Sequence, residues 1–160
     1  MPVSPDELKN VMATVAATVT IVTVASDGGP IGLTVSAFLS VSADPAIILV
    51  CIDKATASLE AVLDADGFTV NIMPEGAEDE AMLFATHGAE KFGVSEWTEP
   101  ETRNAGPVLA SSLARLECVT IDKTEVGDHW VLYGSVMLTD IAMPDVAPLV
   151  WRGGGFVQLS

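Results

Sequence analysis

At 160 residues, with 49% apolar and 18% charged side chains, the chain carries enough apolar mass for one packed domain over residues 1–160 and too much for disorder. Its 22 acidic and 7 basic residues leave a formal net charge of -15, which repels nucleic-acid phosphates and anionic membrane surfaces, so neither is an expected partner. The apolar excess is more than a small monomer hides easily, which favours self-association.

In chain order, MPVSPDELKN has neither a basic nor an apolar leader stretch, so cytoplasmic residence is expected. Ser4 and Glu7 have capping-box spacing with Pro5 at the first helical position, which predicts a short helix to about Thr14. From Asn10 to Ile52 the only charges are Asp27 and Asp44, but Val, Ile and Thr dominate Val11–Ala25 and Asp27-Gly28-Gly29-Pro30 interrupts the run. That pattern reads as buried strands rather than a membrane hairpin: Val15–Val24, a tight turn, then a long partner strand Ile31–Ala43. Asp44-Pro45 marks a turn before a central strand Ala46–Ile52.

Leu59, Val62 and Leu63 share one face of a helix predicted over Thr56–Ala65, and Phe68–Met73 returns as a strand. A second helix, Ala77–Thr86, is expected to turn Met82, Leu83 and Phe84 inward and to end at His87-Gly88. Glu96–Gly106 is polar and aperiodic, a loop long enough to cover a ligand. Leu113–Val126 and Trp130–Ile141 form a long hairpin about Gly127-Asp128-His129, and short strands flank Gly153-Gly154-Gly155. Six or more short strands with about three short helices in this order predict a mainly β fold, a closed antiparallel barrel.

Dinucleotide-binding and P-loop glycine patterns are missing, as are HExxH and CxxC, and no GxSxG accompanies the two histidines. Cys51 and Cys118 sit singly in apolar runs and read as reduced core thiols. Thr34 and Ser36 alternate on one side of a strand, either a plain polar face or a surface that can bond a polar ring. Cys51-Ile52-Asp53-Lys54-Ala55-Thr56-Ala57-Ser58 runs from a strand into a helix start, which suits an anion or ordinary capping.

The stretch IGLTVSAFLSVSADPAIILVCIDKATAS resembles the signature of the short-chain flavin reductase family, whose fold is an antiparallel Greek-key split β-barrel that binds FMN. GFTVNIM, EKFGVSEW, GPVLASSLARLEC, VGDHWVLYGSV and PLVWRGGGF extend the resemblance along nearly the whole chain. It implies a flavin ring against Thr34, Val35, Ser36 and Ala37, and a phosphate tail near Cys51, Asp53, Lys54, Thr56 and Ser58. It implies further contacts from Lys91 and Phe92, from His129 of the G-D-H motif toward a nicotinamide, and from Arg152 toward phosphates or the flavin edge.

Ala37, Ala55 and Ala57 depart from the hydroxyl or polar residues common in the family, which suits a loosely held flavin. The expected activity is hydride transfer from NADH or NADPH to FMN or FAD, with no catalytic side chain required, supplying reduced flavin to a separate monooxygenase. A flavin-binding electron carrier without NAD(P)H activity is the alternative. A homodimer is expected, burying the low-charge strands between Val15 and Ile52, and no metal site is anticipated.

Overall fold

A computed structural model describes all 160 residues. The first helix, α1 (Pro5–Met12), begins with the expected reciprocal cap: Ser4 Oγ accepts the Glu7 N–H and Glu7 Oε2 accepts the Ser4 N–H, at 3.2 and 2.7 Å. It buries no residue and stops two positions short of Thr14.

The strand expected over Val15–Val24 is divided into β1 (Ala17–Thr18) and β2 (Thr20–Val24), because the backbone of Val19 bonds Leu149 and Met73 instead of continuing either ladder. All five residues of β2 are buried: Val22 and Val24 join the barrel core while Ile21 faces a second cluster. That two-sided burial explains its unbroken β-branched run.

The long strand expected over Ile31–Ala43 is likewise broken, into β3 (Ile31–Val35) and β4 (Phe38–Ala43). β3 pairs with β2, whereas β4 pairs with β5 (Ala46–Asp53), and Ser36-Ala37 carries the chain from one to the other. Next come α2 (Leu59–Asp64), β6 (Gly67–Ile72), α3 (Glu78–Ala85), β7 (Trp97–Thr98), β8 (Val108–Leu109), β9 (Ala114–Val126), β10 (His129–Ile141), β11 (Val150–Arg152) and β12 (Gly155–Val157).

Seven strands form one antiparallel sheet in the order β3-β2-β6-β9-β10-β5-β4. Its two edge strands are successive in the chain, so the sheet curls into a barrel that stays open where β3 parts from β4. This is the split barrel expected from the sequence. Cys51 N–H bonds Ala37 O at 2.9 Å, which carries the β4–β5 pairing up to the edge of that opening.

Val50, Ile52, Phe68, Val70 and Leu132 fill the interior. A second cluster, with Phe84, Met73, Leu109 and Leu149, lies between α3 and the small sheet β1-β11-β12.

In α3 only Ala81 and Phe84 are buried, and Met82 is exposed. Three consecutive residues sweep more than half a helical turn, so the expected inward trio could not share one face. The first helix after β5 is also shorter than expected. Asp53 accepts the Ala55 N–H on its side chain and the Thr56 N–H on its carbonyl, a local turn that competes with helix up to Ser58.

The segment expected to cover a ligand lies elsewhere. Trp97–Thr98 pair with Val108–Leu109, Thr102 N–H donates to the buried Glu117 carboxylate at 2.6 Å, and Ala105, Gly106 and Pro107 are buried. A Cβ on Gly106 would fall 2.6 Å from Val24 N, so only glycine permits this approach of two backbones. Buried Thr23 and Thr69 donate to the carbonyls of Pro107 and Gly106, and Asn71 accepts the Leu109 N–H. These polar side chains on β2 and β6 need partners, and the segment's main chain supplies them.

Candidate functional site

The opening between β3 and β4 leads into a cleft of about 620 Å³. β3 supplies one wall with Gly32, Leu33, Thr34 and Val35, and Ser36 and Ala37 stand at the break. Cys51, Ile52 and Asp53 at the end of β5 form the base, and the turn Ala55–Ser58 forms one end. Phe84 to Gly88 and Lys91, at and beyond the C-terminus of α3, close the opposite side, and His129 enters from the start of β10.

Two pairs of residues lining this space carry main-chain donors without a partner in the chain. Ser36 and Ala37 lie outside both ladders, and their N–H groups donate to no protein group; the same holds for Ala57 and Ser58. Unspent N–H groups on two sides of the cleft are available to a ligand's acceptors. One pair lies beside a strand face and the other at the end turn, where Thr56 and Ser58 add hydroxyls.

Thr34 lines the cleft, but its hydroxyl donates to Ala81 O at 2.5 Å and thereby fastens α3 to β3. Lys91 makes a second tie: its Nζ donates to the carbonyls of Gly32 and Phe84, both at 3.0 Å. Partial burial holds the Lys91 ammonium below the usual lysine range, and desolvation raises the Cys51 thiol above the usual cysteine range. His129 Nδ1 lies 2.7 Å from Asp128 Oδ1, leaving Nε2 unpaired. That hydrogen bond is the main reason the Asp128 carboxyl sits below the ordinary range.

Ten of the thirteen residues singled out from the sequence thus line one cleft: Thr34, Val35, Ser36, Ala37, Cys51, Asp53, Thr56, Ser58, Lys91 and His129. Three do not. Lys54 stands just outside, ion-paired with Glu125. Phe92 packs edge-on between Phe84 and Trp97, with centroids 5.4 and 5.8 Å away, and supports the cleft wall from behind. Arg152 is exposed on β11, and its Nε donates to Thr14 O at 3.2 Å.

The sequence reading passed over Phe84, Ala85, Thr86, His87 and Gly88, which complete the wall opposite β5. A signal existed in Gly32. Glycine inside an otherwise branched strand marks the close approach of something else, and here Phe84 takes the space a Cβ would fill.

The profile of the flavin reductase like domain matches residues 12–160. The reductase component of a 4-nitrophenol 4-monooxygenase/4-nitrocatechol 2-monooxygenase from Rhodococcus opacus is 38% identical over 136 residues, spanning 85% of this chain and 72% of that protein. A flavin reductase (NADH) from Kitasatospora aureofaciens is 33% identical over 153 residues, 94% of this chain and 80% of the relative. Among solved structures, the NADH:FAD oxidoreductase of Streptomyces globisporus superposes with a TM-score of 0.90 at 30% identity, covering 100% of this chain and 97% of that one. The same oxidoreductase is known in complex with NAD and FAD fragments.

Proposed function

The chain belongs to the flavin reductase-like family, and on that premise we propose that its cleft binds FMN or FAD and lets NADH or NADPH reduce it. The supporting observation is the pair of unspent N–H sets at Ser36-Ala37 and Ala57-Ser58, one at a strand face and one at the end turn of a single cleft. A flavin presents acceptors in that order, along the ring's polar edge and on the phosphate of its tail. A cleft of about 620 Å³ has the volume of an ordinary cofactor site. The residues present therefore fit the group.

When bound, the flavin supplies the two-electron chemistry by accepting a hydride from the nicotinamide. The chain's own part is to bind, orient and exclude water. Ser36 and Ala37 would hold the ring edge through their N–H groups, and Ala37 adds no bulk beside β3. Ala57, Ser58 and the Thr56 hydroxyl receive the phosphate. His129, fixed by Asp128 through Nδ1, presents Nε2 to the dinucleotide. Lys91 and Thr34 keep the α3 wall on β3 so that the cleft stays narrow and dry. No side chain forms a covalent bond.

The names of the curated relatives support a separate monooxygenase as the consumer of the reduced flavin. No helix is long and apolar enough to cross a membrane, in keeping with a cytoplasmic enzyme as we propose. We also propose a homodimer, on a surface that keeps β4 from the expected Val15–Ile52 stretch and adds β9 and β10. β2 is wholly buried within its own barrel, whereas Leu39 and Val41 of β4, Ile121 of β9 and Met137 of β10 are 59%, 49%, 52% and 60% exposed. Light scattering of a Leu39→Glu variant should report a monomer.

The deciding experiment is nicotinamide oxidation by the purified chain, followed by absorbance with NADH or NADPH and with FMN, FAD or neither. Turnover that requires added flavin supports the reductase. Flavin binding without turnover would leave an electron carrier, and absence of flavin binding would remove the cofactor site altogether.

A further inference from the structure

Lys54 follows the last residue of β5, beside the end of the cleft proposed to take the flavin phosphate, yet its ammonium is turned away from that space. It pairs with Glu125, near the end of β9, and the Lys54 N–H donates to Asp128 O at 3.0 Å, which fastens the residue to the β9–β10 hairpin. Two other carboxylates lie nearby, and both are occupied. Asp53 Oδ1 accepts the Ala55 N–H at 2.8 Å, and Asp128 Oδ1 holds His129 Nδ1 at 2.7 Å. Glu125 has no side-chain partner except Lys54.

Around the phosphate end the remaining donors are neutral, the Ala57 and Ser58 N–H groups and two hydroxyls. Lys91, the fixed cation of the cleft wall, spends its ammonium on two carbonyls. A phosphate dianion arriving here finds its nearest cation already neutralised.

We propose that Glu125 is a specificity-determining residue: by competing for Lys54 it draws a cation away from the flavin phosphate, so the chain prefers FMN over phosphate-free riboflavin less than the same cleft would without that carboxylate. The inference rests on the flavin reading of the cleft. Glu125 and Lys54 are both partly exposed, so their pair is weak enough for a phosphate to capture the lysine once the carboxylate is gone.

The test is titration of FMN and of riboflavin, by flavin fluorescence at low ionic strength, into the wild type, Glu125→Gln, and the double variant Glu125→Gln with Lys54→Met. Glu125→Gln should tighten FMN by about fivefold and leave riboflavin unmoved, and the double variant should lose that gain. Riboflavin affinity reports in every case that the cleft is folded. The proposal is overturned if Glu125→Gln leaves the FMN-to-riboflavin ratio at its wild-type value, or if the double variant keeps the gain. If neither flavin binds any form, the cofactor reading itself falls and this inference with it.

Discussion

Adding one methyl group to β3 tests how the cleft is held together. In Gly32→Ala the new Cβ would lie 2.6 Å from Phe84 Cδ1 and 3.1 Å from Phe92 Cζ. Ordinary carbon contacts begin near about 3.5 Å, so the Phe84 ring must retreat by about 1 Å. It has nowhere to go: Phe84 is 1% exposed and stacked edge-on against Phe92, which is in turn braced by Trp97. The strain therefore passes to the α3–β3 contact, including the Thr34 bond to Ala81 O and the Lys91 bonds to Gly32 O and Phe84 O. Overpacking of this kind costs about 1–3 kcal/mol, which for a domain of this size lowers Tm by roughly 3–10 °C. Calorimetry supplies that number, and FMN titration of the same sample should show weaker binding as the α3 wall moves off the cleft. A variant that melts within about 1 °C of wild type and binds FMN equally well would refute the claim that Phe84 on Gly32 shapes the site.

Glu117→Ala should cost about 3 kcal/mol, because it strips the half-buried Thr102 N–H of its acceptor and Arg115 of a carboxylate; urea unfolding measures the loss, while flavin affinity stays put since no part of 96–106 lines the cleft. Cys118, fully buried and with its thiol pushed up to about 12, should resist alkylation near pH 8 until the chain unfolds. Cys51, half-buried on the cleft floor, should alkylate slowly in the free protein and be protected by saturating FMN, as mass spectrometry of labelled peptides would reveal. The Asp128 carboxyl is held low by its bond from His129, so the stability it contributes is full above the ordinary carboxylate range and fades as pH falls through it. The difference in stability between wild type and Asp128→Asn should accordingly shrink as pH falls below about 5, and a constant difference would show that the bond plays no part.

Much of this architecture is written in local chemistry. Ser4 and Glu7 announce a capped helix through two hydrogen bonds that need nothing beyond their own turn. The hairpin of β9 and β10 follows from two extended runs around Gly127, and β5 from an apolar run too short for anything but a strand. The sites where reading by pattern went astray are those where a distant partner decides. Hydrophobic alternation through Ile31–Ala43 cannot reveal that β3 belongs to β2 and β4 to β5, because the change of partner at Ser36-Ala37 depends on the barrel's closure. The polar stretch Glu96–Gly106 looks free to cover a ligand until Thr69 and Glu117, on two remote strands, bond its Gly106 and Thr102 main chain, while Thr23 and Asn71 hold Pro107 and Leu109 just beyond it.

The candidate site divides in the same way. Composition, the strand-to-helix turn at Asp53–Ser58 and the family-like motifs suffice to mark out a mainly β chain with hydroxyls and a basic residue near an anion's position. They cannot say which N–H groups remain unspent, since that is known only after every ladder has claimed its own. Folding alone leaves Ser36, Ala37, Ala57 and Ser58 without partners, brings Phe84–Gly88 across from β5, and turns Lys54 toward Glu125. Side-chain type is a property of the sequence, whereas the direction a donor faces, and what has already bonded it, is a property of long-range packing.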